Sequence, residues 1–329
     1  MKYRTIAQST LFAAMSVAMA QPALAVTDEE FKALQEQLDM LAEQVEENSS
    51  SSSSSNTTVG GYGELHYNNW SNDQGDTFKE LDLHRFVLMI NHEFNDDIRL
   101  FTEVEIEHAI AGEGQVGEVE VEQMFVQFDL NDTLKANAGV FLLPVGIINE
   151  THEPPTFYGV ERNPVEKYII PATWWEGGAA LVGNYSSGLS FDAAIHSGLN
   201  GGTDIRGGRQ KTGKAVANNL AATGRLRYTG IAGLTLSGTV GYQDDMTQDT
   251  SDDIGSAIMI ETHARWNISD LTLTALYARW DIDGEGASST GKDLQDGAYI
   301  EASYKLNPEW GIFIRQNQWD NGGTGDTTK

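Results

Sequence analysis

The sequence predicts an all-β fold, a transmembrane antiparallel β-barrel of about 13 strands preceded by a short α-helical coiled coil. Three observations predict it. The first residues have the composition of an export signal, most of the chain repeats short segments in which apolar and polar residues alternate, and the connections alternate between tight turns and long polar loops. Such sorting of loop lengths is typical of barrels that cross an outer membrane.

Composition excludes several classes of function. The 329 residues include 34 glycines, 7 prolines and no cysteine, and the formal net charge is −27. Without cysteine the chain has no disulfides, thiol nucleophiles or thiolate metal sites, which argues against redox chemistry. The strong acidity argues against nucleic acid as a partner, because phosphate backbones bind basic surfaces.

Residues 1–25 have the three parts of a secretory signal peptide. Lys2 and Arg4 precede an apolar run at residues 11–20, and residues 23–25 read Ala-Leu-Ala, a small-residue cleavage site. We therefore expect the mature chain to begin at Val26. The alternative, a membrane anchor, is disfavoured because a spanning helix needs about 20 apolar residues.

Residues 26–48 are predicted to form a coiled-coil helix in the periplasm. The apolar residues with the 3-4-3-4 spacing of a coiled-coil seam are Phe31, Leu34, Leu38, Leu41 and Val45. Because so short a helix is marginal alone, matching helices of partner chains should stabilise it, which implies an oligomer. The alternative is one amphipathic helix lying on the barrel or the membrane. Residues 49–56, mostly serine, form a polar linker.

The barrel domain is predicted over residues 57–329. Its period-two segments are clearest at Leu234–Tyr242 and Ile258–Ile268, where apolar side chains alternate with polar or small ones. In another segment the apolar positions change from odd (Val119, Val121) to even (Met124, Val126) around Gln123-Met124. One extra residue in a strand produces such a change, so we predict a β-bulge there.

The predicted connections alternate strictly in length. Tight turns are expected at residues 95–96, 131–132, 187–188, 230–233, 269–270 and 307–308, and long loops at 71–79, 111–117, 148–173, 200–215, 244–254 and 283–296. Tight turns are periplasmic in outer-membrane barrels, whereas a soluble sandwich, the alternative fold, has no reason to sort its loops. Because such barrels close with an even number of strands, we expect three further strands after residue 329, sixteen in all.

The longest loop, residues 148–173, carries four of the seven prolines and many aromatic residues. Here and in the first strand the chain resembles the family of phosphate-selective porins O and P. The segments that carry the resemblance are Gly-Gly-Tyr-Gly-Glu-Leu-His-Tyr at 60–67, Glu-Thr-His-Glu-Pro-Pro-Thr-Phe-Tyr-Gly-Val-Glu-Arg-Asn-Pro-Val-Glu-Lys at 150–167, and Trp-Trp-Glu-Gly-Gly at 174–178.

The resemblance implies a homotrimer of sixteen-stranded barrels in the bacterial outer membrane, surrounded by lipid and lipopolysaccharide. The subunits would associate through the barrel wall and residues 31–45. Each barrel would have its own pore, narrowed by loop 148–173, through which small hydrophilic solutes, including anions such as phosphate, diffuse. The loop residues predicted at the constriction are His152, Glu161, Arg162, Glu166 and Lys167.

The predicted lumen carries charges of both signs. In each predicted strand the polar positions should face the lumen, although the strand of Arg85 has no clear alternation. The charged residues at these positions are Arg85, Arg99, Glu103, Glu105, Glu107, Lys135, Arg225, Arg227, Glu261, Arg265, Lys305 and Arg315. A lysine or arginine facing lipid near the midplane costs about 2–4 kcal/mol, so these positions should face water. Such a pore should prefer one ion sign only mildly. The alternative is that these charges merely stabilise the wall through salt bridges.

The sequence predicts no cofactor, no specific metal site and no enzymatic activity. Glu103, Glu105 and Glu107 share one face of a strand and His108 falls on the other, so divalent cations should bind only loosely, as they should at the acidic loops. Asp192 and His196 share a strand face, but no serine elbow accompanies them, which disfavours an outer-membrane hydrolase. A structural or adhesive barrel is the remaining alternative.

Overall fold

The computed structural model describes residues 56–72, 76–249 and 253–322. The predicted signal peptide and coiled coil, and all of the serine linker but Asn56, lie outside the described residues. Thirteen described strands form one antiparallel sheet in which each strand pairs with its neighbours in sequence. They are β1 (Thr57–Ser71), β2 (Thr77–Glu93), β3 (Ile98–Glu107), β4 (Val119–Asp129), β5 (Leu134–Leu142), β6 (Trp175–Asn184), β7 (Leu189–His196), β8 (Ala221–Ile231), β9 (Leu234–Gln243), β10 (Ala257–Ile268), β11 (Leu271–Ile282), β12 (Leu294–Lys305) and β13 (Gly311–Asp320). The predicted all-β fold of antiparallel strands is thus confirmed.

The two faces of the sheet differ as period-two patterning requires. In β10 the side chains of Ile258 and Ile260 are exposed, whereas those of Met259 and Glu261 are buried. We call the first side of the sheet its outward face and the second its inward face. Exposed apolar side chains recur on the outward face of other strands, for example Leu226 in β8 and Ile314 in β13.

The alternation of connection lengths is confirmed from β2 onward, but the first predicted long loop, 71–79, is only the short connection 72–76 between β1 and β2. Short turns join β2 to β3, β4 to β5, β6 to β7, β8 to β9, β10 to β11 and β12 to β13 at one edge of the strands, the short-turn rim. The other edge is the long-loop rim, where residues 143–174 connect β5 to β6 and residues 197–220 connect β7 to β8. β5 ends at Leu142, so the first of these loops, called loop 143–174 below, begins earlier than predicted.

The helical segments are short. Loop 143–174 contains a 3-10 turn, Pro154–Thr156, and a π-helical turn, Val165–Ile169, and the loop between β11 and β12 contains α1, Glu285–Ser289. Among the described residues, no helix is both long and apolar enough to pass through a membrane.

Two β-bulges set the side-chain phase near the beginning of the sheet. Glu103 pairs with Gln123 and Val104 with Val121, so Glu122 is the extra residue of β4, close to the predicted bulge. A second bulge makes His84 the extra residue of β2, between Leu83 and Arg85. Because a bulge reverses the alternation, it explains why the sequence of β2 showed no clean phase around Arg85.

The sheet curves around loop 143–174, which packs on its inward face. His152 of this loop contacts Glu122 in β4, and Tyr158 contacts Ser303 in β12. The six-residue step from His152 to Tyr158 spans at most about 21 Å. In a flat sheet β4 and β12 would be about 38 Å apart, so the sheet must curve for the loop to contact both strands. The buried apolar core lies where the loop meets the wall, through Val165 and Ile169 of the loop and Trp280 of β11.

Candidate functional site

Loop 143–174 is fixed to the last three described strands by aromatic side chains. The indole nitrogen of Trp280 in β11 donates to the carbonyl of Ile169 at 2.9 Å. The Tyr158 hydroxyl donates to Ser303 in β12 at 3.1 Å, and its ring stacks on Phe313 in β13 with 5.0 Å between centroids. The loop therefore spans the inward face instead of extending into solvent above the rim.

Glu166 holds the π-helical turn to the start of the loop. Its fully buried carboxylate accepts hydrogen bonds from the backbone amides of Ile147 and Ile148, at 2.8 and 2.6 Å, and from the Tyr299 hydroxyl at 2.7 Å. Gly146 has a φ of +70°, and a Cβ there would lie 2.8 Å from a Glu166 oxygen. The structure thus differs from the prediction at Glu166, which does not face open space because three donors surround it.

Arg225 in β8 joins the loop to the opposite side of the sheet. Its guanidinium donates to Asp192 in β7 at 2.8 Å and forms a two-pronged pair with Glu150 of the loop. The side chain of Arg225 is almost fully buried. As Arg225 is the shared partner of two carboxylates, it fixes the loop laterally between β7 and β8.

His152 joins the loop to β3 and β4. Its Nε2 lies 2.9 Å from a carboxylate oxygen of Glu122 and 3.7 Å from one of Glu103. All three side chains are buried. Burial lowers the pKa of His152, but the carboxylates of Glu122 and Glu103 outweigh burial and raise it above its ordinary value. The loop therefore meets an acidic part of the wall at this point.

Two arginines that sequence reasoning missed bind the loop from above. Arg206 donates to the carbonyls of Lys167 and Ala172, at 2.9 and 2.7 Å, and Arg209 donates to the carbonyl of Thr173. Both lie in the connection 197–220, whose glycine-rich sequence gave no periodic signal. Burial lowers the pKa of Arg209 to about 10, and the neighbouring charge of Arg206 adds to this effect.

Among the predicted constriction residues, Arg162 has no carboxylate within ion-pair distance in the described part of the chain. Lys167 pairs with Glu161 at 3.4 Å. Burial lowers the pKa of Arg162, and the positive charges of Arg85 and Arg206 lower it further, although the carboxylates of Glu122 and Glu105 oppose the shift. The two basic candidates of the loop therefore differ, since Lys167 forms an ion pair and Arg162 forms none with the described residues.

Several predicted lumen residues form ion pairs on the inward face. Arg85 contacts Glu64 at 2.9 Å and Glu105 at 3.2 Å. Besides these and the pairs of Arg225 and Glu103 described above, the pairs that include predicted residues are Arg99–Asp129, Lys135–Asp129, Arg315–Glu301 and Glu261–His263. No ion pair within the described ranges includes Arg227, Arg265 or Lys305, whose strand phase places them on the inward face, as it does Glu107.

Three histidines cluster on β1 to β3, with His66 inside β1, His84 inside β2 and His108 directly after β3. The rings of His66 and His84 stack with centroids 4.2 Å apart, and Asp82 accepts from His84 at 3.1 Å and from His108 at 2.9 Å. The prediction that His108 points away from the face that carries Glu103, Glu105 and Glu107 is wrong. His108 has a φ of +55°, which ends the strand alternation and turns its ring towards Asp82.

The pair of residues considered for hydrolysis does not form a catalytic set. Asp192 binds Arg225, and His196 contacts the Thr223 hydroxyl at 2.9 Å. Neither contact joins the two residues to each other or to a serine nucleophile.

Solved structures of other proteins have a similar fold. The anion-selective porin from Comamonas acidovorans superposes with a TM-score of 0.56 at 12% identity, over 80% of this chain and 79% of that one. Salmonella typhi OmpF, solved with daunomycin, gives a TM-score of 0.55 at 15% identity, over 80% and 78%. The fold is that of a porin.

At the sequence level, no family model matches the chain. An uncharacterised protein of Aquifex aeolicus is 32% identical over 246 residues, which are 72% of this chain. The match covers 53% of that protein, so the chain spans about half the length of its relative.

Proposed function

We propose that the protein is a passive porin of the bacterial outer membrane, through which small hydrophilic solutes diffuse without an enzymatic step. The observation that carries the proposal is the position of loop 143–174, which crosses the inward face of a curved porin-type sheet and contacts β3, β4, β7, β8 and β11 to β13. A loop held there narrows the space that the sheet encloses.

The outward face supports a location in lipid. Its exposed side chains include Leu65, Leu226, Ile260, Ile300 and Ile314. An antiparallel strand with an apolar outward and a polar inward side is the form in which a chain crosses an outer membrane. We also propose that the chain assembles as a homotrimer, with residues 26–48 as a coiled coil in the periplasm.

The arrangement of charge supports a preference for small anions, such as phosphate. Arg162 in the loop, Arg227 in β8 and Arg265 in β10 have no ion-pair partner among the described residues, whereas Arg85, Arg225 and Arg315 are neutralised by carboxylates. Unpaired guanidinium groups attract anions and bind phosphate oxygens in pairs. Several inward-facing carboxylates, by contrast, already contact an arginine, among them Glu64, Glu105 and Glu301.

Planar bilayer recording of the purified full-length protein tests this function. A trimeric porin gives stepwise open conductance in units of three, and the reversal potential in a salt gradient reports the ion preference. Insertion without any conductance would refute a porin. Cation preference in potassium chloride, with no reduction of chloride current by added phosphate, would refute the anion assignment and leave the porin intact.

Two substitutions locate the selectivity. Arg162→Ala should move the reversal potential towards cations, because it removes from the loop a positive charge that has no ion-pair partner among the described residues. Lys167→Ala should move it less, because Glu161 already neutralises Lys167. Arg279→Ala is the matched control, as Arg279 lies in β11 on the outward face beside Asp281 and should leave selectivity unchanged. An equal shift in Arg162→Ala and Arg279→Ala would refute the role of the loop.

A further inference from the structure

Three side chains with metal-ligating atoms converge where loop 143–174 meets the wall. They are Glu103 of β3, Glu122 of β4 and His152 of the loop, each offering one atom within 4.8 Å of the others. His152 Nε2 is 2.9 Å from Glu122 Oε2 and 3.7 Å from Glu103 Oε1. The exposed fractions of the three side chains are 1% for His152, 2% for Glu103 and 4% for Glu122.

The β4 bulge creates this arrangement. As the extra residue, Glu122 lies on the inward face together with Gln123, the residue that follows it. The Gln123 amide donates to Glu103 Oε2 at 2.7 Å, which leaves Glu103 Oε1 directed at His152. One carboxylate oxygen is thus oriented by a neighbouring amide while the other stays available, which is how outer hydrogen bonds prepare a metal ligand.

The converging atoms lack hydrogen-bond partners. Glu103 Oε1, Glu122 Oε2 and His152 Nε2 are buried and make no hydrogen bond of acceptable geometry with the described residues. Buried polar atoms almost always have a partner, so three such atoms in one cluster indicate that a further species completes it. Two of the side chains are carboxylates, so that species should be a cation.

We propose that Glu103, Glu122 and His152 bind one divalent transition-metal ion of the zinc class, with water as a fourth ligand. Zinc bonds to imidazole nitrogen and carboxylate oxygen are about 2.0–2.2 Å long, so neighbouring ligands of a tetrahedral ion lie about 3.3–3.5 Å apart. The two separations of 2.9 and 3.7 Å lie on either side of that value. The imidazole favours zinc, copper or nickel over calcium and magnesium, which prefer oxygen ligands alone.

The two carboxylates neutralise the charge of the ion, and the three ligands come from two strands and the loop. A bound ion would therefore cross-link the beginning of the loop to the acidic part of the wall. This inference goes beyond solute diffusion, since the site would bind metal whether or not the protein conducts.

The test uses the full-length protein, stripped with a chelator and titrated with Zn²⁺ by calorimetry. We expect one tightly bound Zn²⁺ per chain, and a loss of at least tenfold in affinity in His152→Gln and in Glu122→Gln. His84→Gln is the matched control. His84 belongs to the half-buried histidine cluster, whose side chains also lie close enough together to hold an ion, and this substitution should leave the tight site unchanged.

X-ray absorption of the zinc-loaded wild type tests the ligand set without any variant that could fail to fold. It should show oxygen and nitrogen ligands with the scattering of a single imidazole. Absence of stoichiometric binding would overturn the proposal, as would a spectrum with two or three imidazoles or tight binding that His84→Gln abolishes and His152→Gln does not. Either of the last two results would place the metal in the histidine cluster.

Discussion

Replacement of Glu166 by alanine should release loop 143–174 from the wall locally. The substitution leaves three buried donors without an acceptor, namely the amides of Ile147 and Ile148 and the Tyr299 hydroxyl. Each unsatisfied buried donor costs about 1 kcal/mol or more, so the local structure should lose about 3 kcal/mol. As 1.4 kcal/mol is a factor of ten, the loop should open about a hundred times more often.

Hydrogen exchange measures this opening directly, because both amides are hydrogen-bonded to the group that is removed. In Glu166→Ala the amides of Ile147 and Ile148 should exchange about a hundredfold faster, while amides in the centre of β10 keep their wild-type rates. Tyr299→Phe removes one of the three hydrogen bonds and should accelerate exchange roughly fivefold. Unchanged exchange at Ile147 and Ile148 in Glu166→Ala would refute the assignment of this carboxylate as the anchor.

The protonation of Glu166 makes the stability of the folded protein depend on pH. Burial raises the pKa of Glu166, although the hydrogen bonds from Ile148, Tyr299 and Ile147 oppose the shift. A carboxyl whose pKa is higher in the folded state binds more protons there, so it makes stability fall as pH rises above about 4.3 towards the folded-state pKa. Glu166→Gln, which imitates the protonated form, should remove that decline in urea unfolding curves measured across this range.

Two further predictions concern charged pairs. Arg225→Ala leaves Asp192 buried without its guanidinium partner and should lower the unfolding free energy by about 3–5 kcal/mol. The control, Arg227→Ala, breaks no ion pair in the described residues and should lower it by less than about 1 kcal/mol. Equal losses in urea unfolding would contradict the role of Arg225. The hydrogen bond that His108 donates to Asp82 raises the pKa of His108, so the stabilisation from this pair is complete below about pH 6.5 and is lost as pH rises through the folded-state pKa. Histidine NMR titration should show the raised pKa and its return to the ordinary range in Asp82→Asn, with Asp96→Asn at the opposite rim as the control.

The strands were predictable because their signals are local. Alternation along β10 or β9 depends only on which residues face lipid and which face the interior, and turn residues mark the ends of each strand. The β4 bulge was visible for the same reason, since it changes the phase of the apolar residues within a few positions of Glu122. The β2 bulge at His84 escaped because polar residues occupy both phases of that strand before it.

The contacts of the loop could not be predicted in the same way. His152 meets Glu103, and Tyr158 meets Ser303, across sequence separations for which a single sequence offers no signal. Strand phase correctly placed the acidic residues on one face, but it could not identify the histidine that joins them. It also could not separate Arg162 from Lys167, because the presence or absence of a carboxylate partner is a property of the folded loop.

The arginine contacts between the two longest loops limit how this protein could be re-engineered or diversify. Arg206 and Arg209 satisfy carbonyls of Lys167, Ala172 and Thr173, so each loop supplies groups that the other lacks. Grafting residues 143–174 alone onto another scaffold would leave these carbonyls bare. A successful transplant must carry residues 197–220 with it, and in natural variation the two loops should be exchanged or lost as a pair.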